Sequence, residues 1–201
     1  MAIVAYPALA IPDQATITLE ANTTVFTSDL NSSVQTAELS GARWRMNLSY
    51  SNRIGSTARA LRGFLAALNG MANRFYMVPP DLNQVGTATN AGTVNGAGQS
   101  GISLATTGWA VNQPLLLAAG DYIEVGGELK IVTQDVSSSG SGNATINFAP
   151  ALRNTPANAQ PIEVLAPRAL MMLDNNRDAS WQVSAPVIYS MSISCVEDVT
   201  V

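Results

Sequence analysis

The side chains that could carry out chemistry are few, because the chain contains no histidine. This excludes catalytic triads and dyads built on imidazole, together with the usual zinc and iron sites. The single cysteine, Cys195, excludes an internal disulfide and a cysteine metal cage. Cys195 lies in an alternating strand pattern, and free cysteine is usually buried, so we predict a buried structural thiol rather than a nucleophile.

Paired carboxylates are the remaining route to hydrolysis. Glu124 and Glu128 flank a hairpin pattern and could be cross-strand neighbours, while Asp174 and Asp178 lie close together in a turn-like segment. Both pairs are more simply explained as solvated turn charges. The Gly/Asn-rich segment 86–101 has no strand-loop-helix context, so it does not match a phosphate cradle. We therefore predict no catalytic, cofactor-binding or metal-binding residues, and a protein that is not an enzyme.

The composition indicates a protein that works through contact with other subunits. The chain has 201 residues, enough for a real hydrophobic core, yet only 12% of them are charged, against roughly 25% in an ordinary soluble domain. Lys130 is the only lysine. A weakly charged surface suits permanent interfaces, whose centres are depleted of charge. The net charge of −4 and the lack of a basic run argue against specific nucleic-acid binding. No apolar run approaches the roughly 20 residues of a membrane span.

Hydrophobic periodicity predicts a mainly β protein with one helix. Residues 42–50 alternate strictly, which is typical of a strand with one buried face. The apolar residues of that strand are Ala42, Trp44, Met46, Leu48 and Tyr50. The helix is predicted over 56–69, with Ser56 or Thr57 as its cap and Gly70 at its end. Its apolar stripe is Leu61, Phe64, Leu65 and Leu68, which we expect to pack on Trp44, Met46 and Leu48.

Strand and turn patterns divide the remainder of the chain. Strands are predicted near 15–27, 34–39, 74–78, 121–125, 128–134, 144–148 (closed by Pro150), 162–165, 169–173, 181–184 and 187–196. Segment 81–108 is poor in large apolar residues and predicts an extended loop or short irregular strands. We predict a β-body made of 1–80 plus 162–201, with an inserted β-module at 81–161.

Exposed aromatic rings would favour a different function, a monomeric carbohydrate-binding β-module. Trp44 and Trp181 lie within strand patterns and are predicted to be buried. Trp109, which follows Gly108, is the one candidate for an exposed ring. This module is the main alternative to a subunit of an assembly.

Several blocks of the sequence, taken in order, resemble a known family. They are 43–50 (RWRMNLSY), 65–70 (LAALNG), 73–76 (NRFY), 119–127 (AGDYIEVGG), 148–153 (FAPALR) and the closing 195–199 (CVEDV). Together they resemble minor tail and distal-tail (baseplate hub) proteins of long-tailed bacteriophages, over residues 40–198.

The resemblance implies a structural virion protein without cofactors. Its expected body is a tail-tube-like β-sandwich or barrel flanked by one helix. Copies would form a ring, commonly a hexamer, at the distal end of the tail tube. The expected partners are the tail tube protein and the tail hub and fibre proteins. The location would be the tail tip of the virion, with synthesis in the cytoplasm of the bacterial host.

Overall fold

The computed structural model describes residues 1–8, 10–39 and 41–199, and it is mainly β, as predicted. The first strands are β1 (Gln14–Glu20), β2 (Thr23–Thr27), β3 (Val34–Glu38) and β4 (Arg43–Arg53). The helix α1 (Gly55–Leu68) follows. The remaining strands are β5 (Phe75–Met77), β6 (Gly92–Val94), β7 (Gly101–Thr107), β8 (Tyr122–Val125), β9 (Glu128–Val132), β10 (Ala144–Leu152), β11 (Pro161–Glu163), β12 (Ala169–Leu173), β13 (Trp181–Ser184) and β14 (Ile188–Glu197).

Strands from both ends of the sequence form an open antiparallel sheet. Its order is β1-β4-β14-β12-β5, and β13 pairs with β14. The register places Ile17 opposite Met46, and Ile193 opposite Leu48. Strict alternation in β4 and β14 therefore directs one set of side chains to a common buried face. The outer face of the same strands is polar and carries Arg43, Arg45, Asn47 and Ser49 of β4 beside Ser192 and Ser194 of β14.

Helix α1 covers the buried face of this sheet. Its predicted stripe is confirmed: Leu61, Phe64, Leu65 and Leu68 are buried in one cluster with Trp44, Met46 and Leu48. Phe64 meets Phe75 edge to face, with ring centroids 5.1 Å apart. This packing supplies most of the stability of a helix of 14 residues, which is marginal alone in water.

The ends of α1 differ in part from the prediction. Ile54 is the N-cap, and no side chain caps the helix start, so the predicted Ser56 or Thr57 cap is wrong. The chain turns through Gly55 at a φ of 61°, which places both hydroxyl residues inside the first turn. At the other end Gly70 has the predicted left-handed conformation, but Asn69 precedes it with a φ of 51° and is the C-cap.

The middle of the chain forms a closed barrel of order β10-β7-β6-β11-β8-β9. A second apolar cluster fills it, with Leu104, Ile123, Ile146, Phe148 and Ile162 among its buried members. The predicted hairpin is confirmed: β8 and β9 join through Gly126 and Gly127, both at positive φ. Closure removes exposed strand edges from this part of the molecule.

The barrel differs from the sequence expectation in two ways. Segment 81–108, predicted as an extended loop or short irregular strands, contains the three-residue β6 and also the regular seven-residue β7. Pro150 does not end β10, which continues to Leu152. The register of β10 against β7 shifts between Asn147 and Leu152, so a proline there removes no regular ladder bond. The barrel also lies in the middle segment, whereas a barrel or sandwich was expected for the body. The division into 1–80 plus 162–201 and 81–161 remains a prediction.

Truncating the helix stripe should destabilise the protein. Leu65→Ala is expected to cost about 2–5 kcal/mol, because Leu65 is fully buried and a cavity remains. Leu165→Ala is the matched control, since Leu165 is 61% exposed, and should change stability by about 0.5 kcal/mol or less. Urea unfolding of both variants measures the difference. Equal losses would contradict the packing described.

Candidate functional site: buried carboxylates, strand edges and a projecting arm

The carboxylates of the hairpin β8–β9 do not form the predicted pair. The register sets Glu124 opposite Leu129 and Val125 opposite Glu128, so the two glutamates point to opposite faces. Adjacent positions of a strand alternate between faces, and only the register shows which residues meet.

Glu124 lies opposite Glu163 of β11, a pairing that the sequence analysis missed. Burial raises the pKa of Glu124, and the Glu163 charge adds to this, while Arg168 opposes it. The backbone N–H groups of Ala166 and Leu165 donate to Glu163 and lower its pKa. The open cleft beside them has a volume of about 440 Å³. Both carboxylates accept hydrogen bonds from backbone N–H groups. Their role is therefore to stabilise turns.

The acidic residues around β12 and the thiol of β14 also have structural contacts. Asp174 lies 2.5 Å from the Arg45 guanidinium, and Asp178 accepts hydrogen bonds from Asn175 within a turn. Cys195 is buried, as predicted, and burial raises the pKa of its thiol to about 12. A thiol with this pKa is a poor nucleophile at neutral pH.

The burial of two of the three tryptophans differs from the sequence prediction. Trp44 is buried as predicted, but Trp109 is only 4% exposed, so the prediction of an exposed ring is wrong. Trp109 packs directly on Gly92, whose missing side chain leaves room for the ring, and its Nε1 donates to Thr106. Trp181, predicted to be buried, is 38% exposed because β13 lies at a sheet edge. Arg62 packs against its ring at 5.4 Å from the centroid.

A buried ionic network joins the barrel to the sheet. The Lys130 ammonium lies 2.6 Å from Glu128, and Arg153 lies 2.6 Å from Glu197. Arg153 also lies 3.7 Å from Glu128, which links the two pairs. Glu197 accepts a hydrogen bond from the backbone of Trp44, whose ring Nε1 donates to Leu129 of the barrel. The formal charges of the four ionised groups cancel, so the network can be buried.

The network shifts the ionisation of its members. Burial by itself would raise the pKa of Glu128, but the Lys130 ammonium and the backbone N–H groups of Arg153 and Asn154 outweigh it and leave the pKa below its usual value. Burial lowers the pKa of Lys130, and the Glu128 charge opposes this. Glu128 therefore stays ionised because its partners are fixed around it.

Strands β2 and β3 form a two-stranded arm that projects from the sheet. The predicted strand 15–27 breaks at Ala21 and Asn22, so β1 continues into β2 while β3 leads into β4. In the described part of the chain this pair has no third strand and no covering layer. Several of its large apolar side chains are more than half exposed. They are Val25, Phe26, Leu30 and Val34. An isolated hairpin of this kind is marginal in water without a covering surface.

The two edges of the open sheet differ in whether another segment covers them. At the β5 end, residues 2–4 lie alongside Arg74 and bond to its backbone. At the other end, β1 pairs only with β4 within the described ranges. β1 contains no proline, no lysine and no bulge, and its one charged residue, Glu20, is paired with Arg43 and Arg45 at the end of the strand. This edge is therefore ready to pair with another strand.

The sequence carried a weak signal for the exposed arm. Between Ala21 and Ala37 the only charged residue is Asp29, and apolar residues occur on both faces of the arm. Such a segment does not have one apolar face, as a strand packed on a core would, and it is not polar, as a solvated loop would be. The exposure of the arm became clear only when its strands were seen to pair with each other alone.

Comparison with known proteins finds no matching family model and no matching curated protein. Within the described residues, no group of three or more cysteine, aspartate and glutamate side chains is placed to hold a metal ion. The helix that the structure describes is too short and too polar to cross a membrane. The candidate functional surface, which is the β1 edge together with the β2–β3 arm, is therefore identified by geometry alone.

Breaking the ionic network should cost more than breaking a surface pair. Glu197→Gln is expected to lose about 3–5 kcal/mol, because Arg153 then keeps a buried charge with weaker compensation. Glu20→Gln is the control: its pairs with Arg43 and Arg45 are at the surface, and the loss should be about 1 kcal/mol or less. Chemical unfolding of both variants tests this. A loss for Glu197→Gln no larger than for Glu20→Gln would show that the network contributes little.

Acid should destabilise the protein through Glu128. Its pKa is lowered in the folded state, so the unfolded chain binds a proton more readily. The stabilisation is thus present above the ordinary pKa of 4.5 and is lost as the pH falls through the folded value. Melting temperatures measured from neutral to acidic pH should fall less steeply below pH 4.5 in Glu128→Gln than in the native chain. An equally steep fall below pH 4.5 in both proteins would contradict this role of Glu128.

Proposed function

We propose that this protein is a structural subunit that works by assembling with copies of itself. The observation that carries the proposal is the unprotected edge of β1, which continues into an arm with exposed apolar side chains. An unpaired edge presents a row of backbone donors and acceptors, and natural proteins block it unless it is used. The low charge of the chain supports the same function, since subunit interfaces exclude charge.

Pairing of the β1 edge of one copy with a different edge of the next copy can build a ring. Edge β1 and the far edge of the sheet are different surfaces, so pairing one with the other is a heterologous contact. Repeated heterologous contacts close into a ring when the rotation between neighbours divides a full turn. The β5 edge is partly occupied by residues 2–4, whereas β13 has a free edge on the same side of β14. β13 is therefore the stronger candidate for the complementary edge.

We propose more specifically a ring protein of the distal tail of a long-tailed bacteriophage. The resemblance of residues 40–198 to that family supports this, and so does an open sheet with one helix joined to a separate barrel. In this proposal six copies form the ring at the end of the tail tube. The ring links the tube protein to hub and fibre proteins at the virion tail tip, after synthesis in the bacterial cytoplasm. The barrel would face outward, towards the fibres.

Edge blocking tests the assembly. Thr18 is exposed on β1, and Thr18→Lys places a charge on the free edge. Thr145→Lys is the matched control, because Thr145 is exposed on β10, which is paired on both sides. Sedimentation and native mass spectrometry should find a discrete multimer for the native protein and Thr145→Lys, and a shift towards monomer for Thr18→Lys.

Electron microscopy of the native multimer should then show closed rings. A native protein that stays monomeric at every concentration reached, and that binds glycans, would instead support the carbohydrate-binding module. A multimer unaffected by Thr18→Lys would remove β1 from the interface.

A further inference from the structure

Arg62 of helix α1 is held against two aromatic rings and lacks a carboxylate partner. Its guanidinium carbon lies 5.4 Å from the ring centroid of Trp181 and 5.1 Å from that of Tyr189. One Nη donates to the Tyr189 hydroxyl. Its Nε is buried without a hydrogen-bond partner among the described residues, and no acidic side chain pairs with the group there. A planar guanidinium fixed in this way is ready to bind a carboxylate.

The cluster around Arg62 lies beside the free edge of β13. Trp181 is opposite Met191 of β14, which is buried under α1, so the Trp181 ring is on the helix side of the sheet. Val183 lies opposite Tyr189 on the same side and is 56% exposed. Tryptophan, tyrosine and arginine together are typical of the centre of a protein–protein interface. A strand that pairs with β13 would therefore bring its own helix side against Arg62.

The free edge of β1 has complementary chemistry on the helix side of the sheet. Ile17 is on that side because it lies opposite the buried Met46. An open notch of about 350 Å³ is lined by Ile17, by Ile11, which is 74% exposed, and by Asp81. Asp81 is exposed, accepts a hydrogen bond from the Tyr122 hydroxyl and has no cationic partner within the described ranges. One edge thus carries an unpaired carboxylate among apolar side chains, and the other an unpaired guanidinium.

Strand directions bring the two edges together when one copy follows another. β1, β4, β14 and β13 alternate in direction, because each neighbouring pair is antiparallel. β1 of a following copy in the same orientation therefore lies antiparallel to β13, with its helix side on the same face of the sheet.

The two surfaces also lie at the same level of the sheet. Trp181 is opposite Met191, which is opposite Tyr50 of β4. The adjacent Ser49 is opposite Gln14, at the start of β1. Copies in a closed ring are not displaced along its axis, so surfaces at one level of neighbouring copies can meet.

We infer that Arg62 of one copy binds Asp81 of the next copy across the β13–β1 contact, an inference that rests on the proposed self-assembly and names its electrostatic contact. Asp13, the other carboxylate of the notch, already pairs with Arg53 at 2.7 Å, which leaves Asp81 for this role. The Trp181 ring shields the pair from water, which strengthens the attraction between the two charges. Because the two groups lie on different surfaces, the contact repeats in one direction from copy to copy.

Charge reversal tests this contact. Arg62→Asp and Asp81→Arg should each weaken self-association by about tenfold or more, because like charges then face each other. Asp135→Arg is the matched control and should leave association unchanged. Asp135 is also exposed and also accepts a hydrogen bond, but it follows β9 of the barrel and lies outside the notch. Sedimentation equilibrium measures association, and circular dichroism shows whether each variant is folded.

Mixing the two reversed variants gives the second measurement. Arg62→Asp and Asp81→Arg in equal amounts should recover native association, because every contact between unlike chains then joins opposite charges. If Arg62→Asp does not fold, the response of Asp81→Arg compared with Asp135→Arg decides. A native multimer that the reversals do not weaken, or folded variants that do not recover on mixing, would overturn this contact and leave self-assembly intact. A native protein that remains monomeric would overturn both.

Discussion

The four ionised side chains between the barrel and the sheet are the contact on which the arrangement of the molecule depends. Glu128, Lys130 and Arg153 belong to the barrel and Glu197 belongs to β14 of the sheet, so the Arg153–Glu197 pair is the link that crosses between the two parts. Removing one partner leaves an uncompensated buried charge, so a displaced barrel is disfavoured. An apolar interface of the same size would tolerate sliding, whereas the 2.6 Å hydrogen bond between Arg153 and Glu197 requires one geometry. Lys130, the only lysine of the chain, is thus buried inside the molecule.

This rigidity gives the exposed surfaces a defined relation to one another. An apolar groove is lined partly by β10 of the barrel and partly by the base of the arm. Its shape therefore depends on the position in which the barrel is held against the sheet. Arg153 contributes to both, since it bonds to Glu197 inside and lines the groove outside. In the proposed ring this fixed geometry would be needed, because a ring closes only if every copy repeats the same angle.

The barrel and the open sheet differ in how their strand edges are covered. The barrel, all of whose strands lie in the described part of the chain, closes on itself without a free edge strand. The open sheet covers one side with residues 2–4 and leaves β1 and the arm uncovered. Exposed edges invite aggregation, so their retention next to a protected barrel is consistent with ordered pairing between copies. In the proposed assembly, weak surface charge would let copies approach without the cost of removing ions from water.

The sequence by itself determined the mainly β class, helix α1 with its apolar stripe, and the buried thiol of Cys195. These depend on local periodicity and residue type, which the order of residues records directly. Only the tertiary structure decided that Trp109 is buried and Trp181 half open, because burial depends on Gly92 and on which strand lies at an edge. It alone set Glu124 opposite Glu163, since register is a relation between distant segments. The exposed arm and its groove likewise follow from which strands find partners, and no local pattern contains that information.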